Sequence, residues 1–156
     1  MQIYLCRQLV LKYLEENKMA EERFVKLTTD DQFTIVSFPE VPDKGVDGSF
    51  NKMVHQEIDC ELYERVCLRS IYHRGIAMLV DESGILKGKR PNLFPWLFYS
   101  QLNLGAPIVG DVLFVGEHRI GELQELDFCG LSQDQIDYLT DLFKSYKSMI
   151  GERDEF

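Results

Sequence analysis

No apolar run in this 156-residue sequence approaches the roughly 20 residues that a membrane-spanning helix requires. The N-terminal stretch MQIYLCRQLVLKYLEENK has too many interruptions for a secretory leader. Arg7, Gln8 and Lys12 break its apolar run, Glu15 and Glu16 come next, and no small-residue cleavage site appears. It reads as a helix of a cytoplasmic protein. Cysteine occurs four times, at Cys6, Cys60, Cys67 and Cys129, with no CxxC pair and no regular framework. Reduced thiols are expected, not a disulfide-stapled or zinc-ribbon domain. The chain has no internal repeat, low-complexity tract or Ser/Pro linker, and its length suits one domain over 1–156. Patterns that announce an enzyme are missing too: no G-x-S-x-G, no H-E-x-x-H and no Rossmann glycines. GILKGK at 84–89 lacks the spacing of a phosphate-binding P-loop.

Basic residues are also in short supply, 17 Lys/Arg against 26 Asp/Glu, for a net charge of −9. The deficit is uneven. Residues 65–90 hold six Lys/Arg against two Asp/Glu, whereas 1–64 hold seven against thirteen and 91–156 hold four against eleven. An acidic body thus surrounds one basic centre, a field that opposes non-specific nucleic-acid binding yet leaves room for a local anion site.

The apolar pattern predicts an α+β fold, an antiparallel sheet of about five to seven strands covered by helices on at least one face. Ile3, Cys6, Leu9, Val10, Tyr13 and Leu14 fall on a helical period. FVKLTT and QFTIVSF form a hairpin through Asp30 and Asp31, and the Pro/Gly-rich 39–48 is a loop. Ser49 stands where an N-cap would open a short helix through Met53, Val54 and Ile58. LYERVCLRSIY and GIAMLV are strands joined at a turn bearing His73 and Arg74. ILKG reads as a short return strand, and PWLFYSQL as a short helical or irregular stretch. PIVGDVLFVG and GELQELDF make a further hairpin around EHRI, which would put His118 at its tip. Ser132 and Gln135 form a capping box. Behind it, Ile136, Leu139, Phe143, Tyr146 and Ile150 mark a C-terminal helix lying on the sheet, with a tail at 151–156.

Two stretches invite a functional reading. DESGILKGKRPN (81–92) has the short acids and glycines of a turn, and Asn92 is suited to cap the segment behind it. Its cations Lys87, Lys89 and Arg90, with Arg65, Arg69 and Asn92, are the candidates for holding phosphate or nucleic acid. LFPWLFY (93–99) concentrates Phe94, Trp96, Phe98 and Tyr99. Core packing accounts for most of it, while Trp96 and Tyr99 are candidates for a partner anchor or a base-stacking surface. His55, Asp59 and Cys60 lie close in sequence, but no further ligand falls at useful spacing. No catalytic residue, metal site or cofactor is expected.

DESGILKGKRPN, the FY seven residues beyond Asn92, PIVGDVLFVG and ELDFCGLSQDQ together resemble the domain-of-unknown-function family numbered 3846, over roughly residues 49–147. Its pattern falls here on Asp81, Glu82, Gly84, Leu86, Lys87, Gly88, Asn92, Tyr99, Gly110 and Asp111. Pro95, Trp96 and Phe98 stand where that family has small residues. The helix-plus-hairpin extension at 1–48 is less family-like. The resemblance implies a bacterial, phage or mobile-element setting and brings no established activity.

The leading expectation is therefore a non-catalytic accessory protein of a phage or mobile element that acts by protein–protein contact. Its acids, including Asp127, Asp134, Asp137 and Asp141, would occupy the basic groove of a host nucleic-acid-handling enzyme, with Trp96 and Tyr99 as further contacts. The alternative is a small RNA- or nucleotide-binding module centred on 65–90, with Trp96 or Tyr99 stacking on bases.

Overall fold

Period-two burial organises the sheet. In the computed structural model, which describes residues 7–9, 12, 21–38, 45, 48–67, 74–100 and 106–154, six antiparallel strands are present. They are β1 (Glu22–Leu27), β2 (Phe33–Phe38), β3 (Tyr63–Val66), β4 (Ile76–Asp81), β5 (Val112–Ile120) and β6 (Glu125–Cys129). Three helices accompany them: α1 (Ser49–Glu57), α2 (Leu93–Ser100) and α3 (Gln133–Asp154). Residues 7–9 and 12 are also helical. The rest of the predicted N-terminal stripe, most of the loop at 39–48, and His73 lie outside the described residues.

The sheet runs β2-β1-β5-β4-β3, with β6 paired to the outer half of β5. Gly116 faces Ile76 across one edge of β5 and Cys129 across the other. β6 therefore shares with β1 a single edge of β5, the two lying end to end. The Leu131 amide donates to the Arg23 carbonyl at 2.7 Å at that join, and the Gly130 amide donates to the Glu22 carboxylate. A Cβ on Gly116 would sit 2.6 Å from the Gly130 carbonyl oxygen, so the crossing needs a residue with no side chain.

Both faces of the sheet are covered. Alternation along β4 sends Ile76, Met78 and Val80 to one side and Ala77, Leu79 and Asp81 to the other. The first side packs with Val25, Leu27 and Phe114 against Phe94 of α2 and Ile136, Leu139 and Tyr146 of α3. The second packs with Phe24, Leu113 and Val115 against Phe50, Met53 and Val54 of α1. Phe24, Phe50, Phe94 and Phe114 are fully buried, each contributing roughly 1.5–3 kcal/mol by removal from water.

Most expected elements are present, with four shifts. Helix α1 opens at Ser49 with Gly48 as its N-cap, because Gly48 already has the extended backbone (φ −79°, ψ 168°) of that position. ILKG is not a return strand. Residues 82–88 form one run of turns closed by local bonds, Lys87 N to Ser83 O and Lys89 N to Gly84 O, both 3.0 Å, which leave no ladder to pair. EHRI is not a hairpin tip. His118, Arg119 and Ile120 pair with Asp127, Leu126 and Glu125, and the chain reverses at 121–124, where Gly121 (φ 72°) and Gln124 (φ 54°) take left-handed conformations. The C-terminal tail is helical as far as Asp154.

The capping box is reciprocal. Gln135 N donates to Ser132 Oγ at 3.2 Å, and Ser132 N donates to Gln135 Oε1 at 2.8 Å. Gln135 Nε2 also donates to the carbonyls of Arg74 and Gly75 at 2.7 and 3.1 Å, tying α3 to the start of β4. Ser132→Ala is expected to cost about 1 kcal/mol, the ordinary loss of an N-cap. Gln135→Ala should cost more, because it also removes those two bonds; urea unfolding midpoints of the two variants would show the order.

Candidate functional site

The turn run after β4 is built on one carboxylate. Asp81 is the last residue of β4 and points to the α1 side, its side chain 1% exposed. Its Oδ2 receives Lys87 Nζ at 3.0 Å and Lys89 Nζ at 2.8 Å, and its Oδ1 accepts the Ser83 amide at 2.9 Å. Burial alone would raise its pKa. The hydrogen bonds from Lys89, the Ser83 amide and Lys87 outweigh burial and hold the carboxyl below its ordinary value. Lys89 Nζ also donates to the carbonyls of Ile58 and Asp59, at 3.0 and 2.5 Å, where α1 ends.

Gly84, Asn92, Gly110 and Asp111 of the motif lock the turn run to the sheet. Gly84 lies so close to β5's approach that a Cβ there would sit 2.8 Å from Val109 Cγ2. Gly110, with φ 76°, is covered by the Lys89 stem. Asn92 is fully buried, and its Nδ2 donates to the carbonyls of Leu27 and Gly110 at 3.0 Å each, bolting the start of α2 to β1 and to the approach of β5. Asp111 Oδ1 accepts the Thr29 amide at 3.1 Å. Helix α2 starts directly after Asn92. Pro95 falls in its first turn, where the missing N–H breaks no intrahelical hydrogen bond.

Of the predicted anion-binding residues, Arg65 makes a two-pronged contact with Glu117, Nε and Nη2 each 2.6 Å from a carboxylate oxygen. Arg90 pairs with Asp30 at 3.1 Å. Arg74 lies 3.7 Å over the Tyr138 ring, and Arg69 is outside the described residues. The described cations of 65–90 are thus engaged within the molecule: Arg65, Lys87, Lys89 and Arg90 each meet a carboxylate, Lys87 and Lys89 sharing that of Asp81, and Arg74 meets an aromatic face. Asn92 is committed to backbone carbonyls and does not reach solvent.

The predicted partner-binding residues separate into three places. Asp134, Asp137 and Asp141 succeed one another along the exposed face of α3, with no cation paired to any of them among the described residues. Asp127 sits on β6 opposite His118, whose Nε2 is 3.3 Å from Asp127 Oδ2. Trp96 and Tyr99 are half-buried and pack against the core on the α3 side.

The group His55, Asp59 and Cys60 does not assemble a centre. The His55 ring tilts against Tyr63, and no set of three His, Cys, Asp or Glu side chains among the described residues could hold a metal ion. Burial, aided by the Asp81 charge, pushes the Cys60 thiol up to about 11, so it stays protonated at neutral pH and is no nucleophile.

Two cavities border the motif. A shallow one of about 190 Å³ lies between Thr29, Asp59, Lys89 and Asp111. A more enclosed one of about 100 Å³ lies on the other face, between Glu64, Val80, Glu82, Ile85, Tyr99 and Ile108. Both are well below the roughly 300–1,000 Å³ of a small-molecule or cofactor pocket. Glu64 carries a signal that was legible in the sequence: in Tyr-Glu-Arg-Val it alternates with Arg65, which sends the two charges to opposite faces. The acids that engage Arg65 and Arg90 left no such trace, being distant in the chain.

The family model described as Domain of unknown function (DUF3846) matches residues 40–144, and the chain belongs to that family. No curated protein and no solved structure matches it.

Proposed function

We propose that this member of the family is a non-catalytic accessory protein of a phage or mobile element that binds a basic protein surface. The surface expected is the nucleic-acid groove of a host enzyme, which the protein would occupy and so inhibit. One observation carries the reading: the described cations of 65–90 are engaged within the molecule, while Asp134, Asp137 and Asp141 face solvent along α3 without a cation. The helix dipole accounts for Asp134, which lies in the first turn. It does not account for Asp137 and Asp141, since its influence fades within that turn. A row of carboxylates on a rigid helix presents charge to a basic groove much as phosphates do, and such complementarity governs encounter and choice of partner. The RNA-binding alternative draws no comparable support, because its described cations Arg65, Lys87, Lys89 and Arg90 would first have to leave their carboxylates.

The test is affinity capture from nuclease-treated bacterial lysate with the wild-type protein and with the Asp134→Lys, Asp137→Lys, Asp141→Lys triple variant. A partner is expected that survives nuclease, weakens as salt rises, and binds the triple variant at least about tenfold less tightly, equivalent to about 1.4 kcal/mol. A partner indifferent to the reversal, or lost with nuclease, would overturn the reading.

A further inference from the structure

The enclosed cavity on the α3 side has a composition that the acidic helix does not explain. Its position is set by strand register. Glu64 pairs with Val80, and alternation points both to the face opposite Asp81, Lys87 and Lys89. The sheet therefore stands between the two lysines and the cavity. Glu64 comes from the edge of the sheet, Glu82 and Ile85 from the turn run, Tyr99 from the last turn of α2, and Ile108 from the segment leading to β5. Glu64 and Glu82 are exposed, and neither has a cationic partner among the described residues.

Val80, Ile85 and Ile108 give the cavity aliphatic surface and Tyr99 one phenol ring, Asp81 also borders it, and Glu64 and Glu82 add two carboxylates that no described cation meets. Two exposed leucines stand beside the rim. Leu86, 91% exposed, is at the crest of the turn run. Leu62, 64% exposed, adjoins it through the bond from the Glu82 amide to the Leu62 carbonyl at 3.1 Å. Leu86 has no packing role within the molecule, yet the bonds of Asp81 fix the turn that raises it. A turn held this firmly around an exposed apolar residue is pre-organised to meet another surface.

We infer that this cavity receives a lysine or arginine side chain of a partner protein, with Glu64 and Glu82 pairing its charge and Leu62 and Leu86 gripping the apolar residues beside it. A basic side chain matches each part of the site. Its methylene stem suits Val80, Ile85 and Ile108, its cation suits the Tyr99 ring face and two carboxylates, and a volume of about 100 Å³ admits one side chain and no nucleotide. The inference rests on the reading that the protein binds a basic partner, and adds a specific socket to the general attraction of α3.

The experiment uses the full chain, labelled with ¹⁵N and titrated with N-acetyl-lysine methylamide and N-acetyl-arginine methylamide in the millimolar range. N-acetyl-norleucine methylamide, uncharged and of similar shape, is the control. Amide shifts are expected at Glu64, Val80, Glu82 and Ile108 with either basic probe. They should be at least about fivefold smaller with norleucine and in the Glu64→Gln, Glu82→Gln double variant, whose unperturbed spectrum elsewhere would establish that it folds. Equal shifts with norleucine, shifts confined to α3, or none at all would overturn the proposal. The captured partner separates this failure from failure of the broader reading. A partner lost on reversal of the α3 acids but bound normally by the double glutamine variant removes the socket and leaves the acidic-helix reading standing.

Discussion

Replacing Asp81 with alanine is expected to destabilise the fold by about 3–5 kcal/mol, the usual cost of removing one member of a buried, hydrogen-bonded ion pair. The size reflects the groups it would strand. Lys89 is largely buried and would keep its charge with only the Ile58 and Asp59 carbonyls beside it. The Ser83 amide would lose its acceptor, and the turn over 82–88 would lose its anchor. The Asp81→Ala, Lys89→Met double variant should therefore be more stable than Asp81→Ala alone, since the orphaned charge leaves with the second change. Urea unfolding at neutral pH measures both. Acid adds an independent check with Asp81→Asn. The folded-state pKa of Asp81 is depressed, so its ionised form stabilises the protein above the unfolded-state value, near 4, and that stability is lost as pH falls through the folded-state value. The gap between wild type and Asp81→Asn should be full at pH 7 and shrink below about pH 4. A gap that does not change with pH would mean that the carboxylate charge is not what stabilises the turn.

Asn92→Leu is expected to be nearly as damaging although it keeps the branched shape of the side chain. It strands the Leu27 and Gly110 carbonyls in a site with no access to water. Each buried acceptor left without a donor costs about 1–3 kcal/mol. Asn92→Asp should be worse, because it places a carboxylate against the same two carbonyl oxygens. Thermal unfolding of the pair distinguishes lost hydrogen bonds from lost packing: if the leucine variant matches wild type, the amide is dispensable. Asn92 Oδ1 has no hydrogen-bond partner of its own. Pro95 stands at the third helical position and offers none of the amide hydrogen that an N-cap oxygen ordinarily takes there.

How much of this was legible in the sequence depended on distance along the chain. The Ser132/Gln135 box, the stripe from Ile136 to Ile150 and the Asp30/Asp31 hairpin rest on neighbours within a few residues, and each stands where the pattern put it. EHRI misled because three polar residues resemble a turn, whereas the conformational demand fell on Gly121 and Gln124 a few residues later. ILKG misled because two β-prone residues outweighed the glycines flanking them. Charge pairing was the least legible feature. Residues 65–90 form a basic block in sequence, but Glu117 meets Arg65 and Asp30 meets Arg90 only after the sheet is assembled. The acids of α3, by contrast, were visible as a row because a helix keeps sequence neighbours together. The register that turns Glu64 toward the cavity needed the pairing with β4 to be known.

The strand order also constrains how the chain is made. The β1–β2 and β3–β4 hairpins do not pair with each other; each is joined to the sheet only through β5. The ribosome therefore delivers both hairpins, and helix α1 that covers them, before the strand that unites them exists. Until residues 112–120 emerge, β1 and β4 each present an open, apolar edge with nothing to pair. Helix α3, which seals one face, comes later still. Ribosome-bound chains that stop short of β5 should be protease-sensitive and occupied by chaperones, whereas chains long enough to expose α3 should be protected. Assembly of this protein is a closing event at its C-terminal third, and a stop codon there would leave two separate hairpins with exposed edges in place of a smaller folded domain.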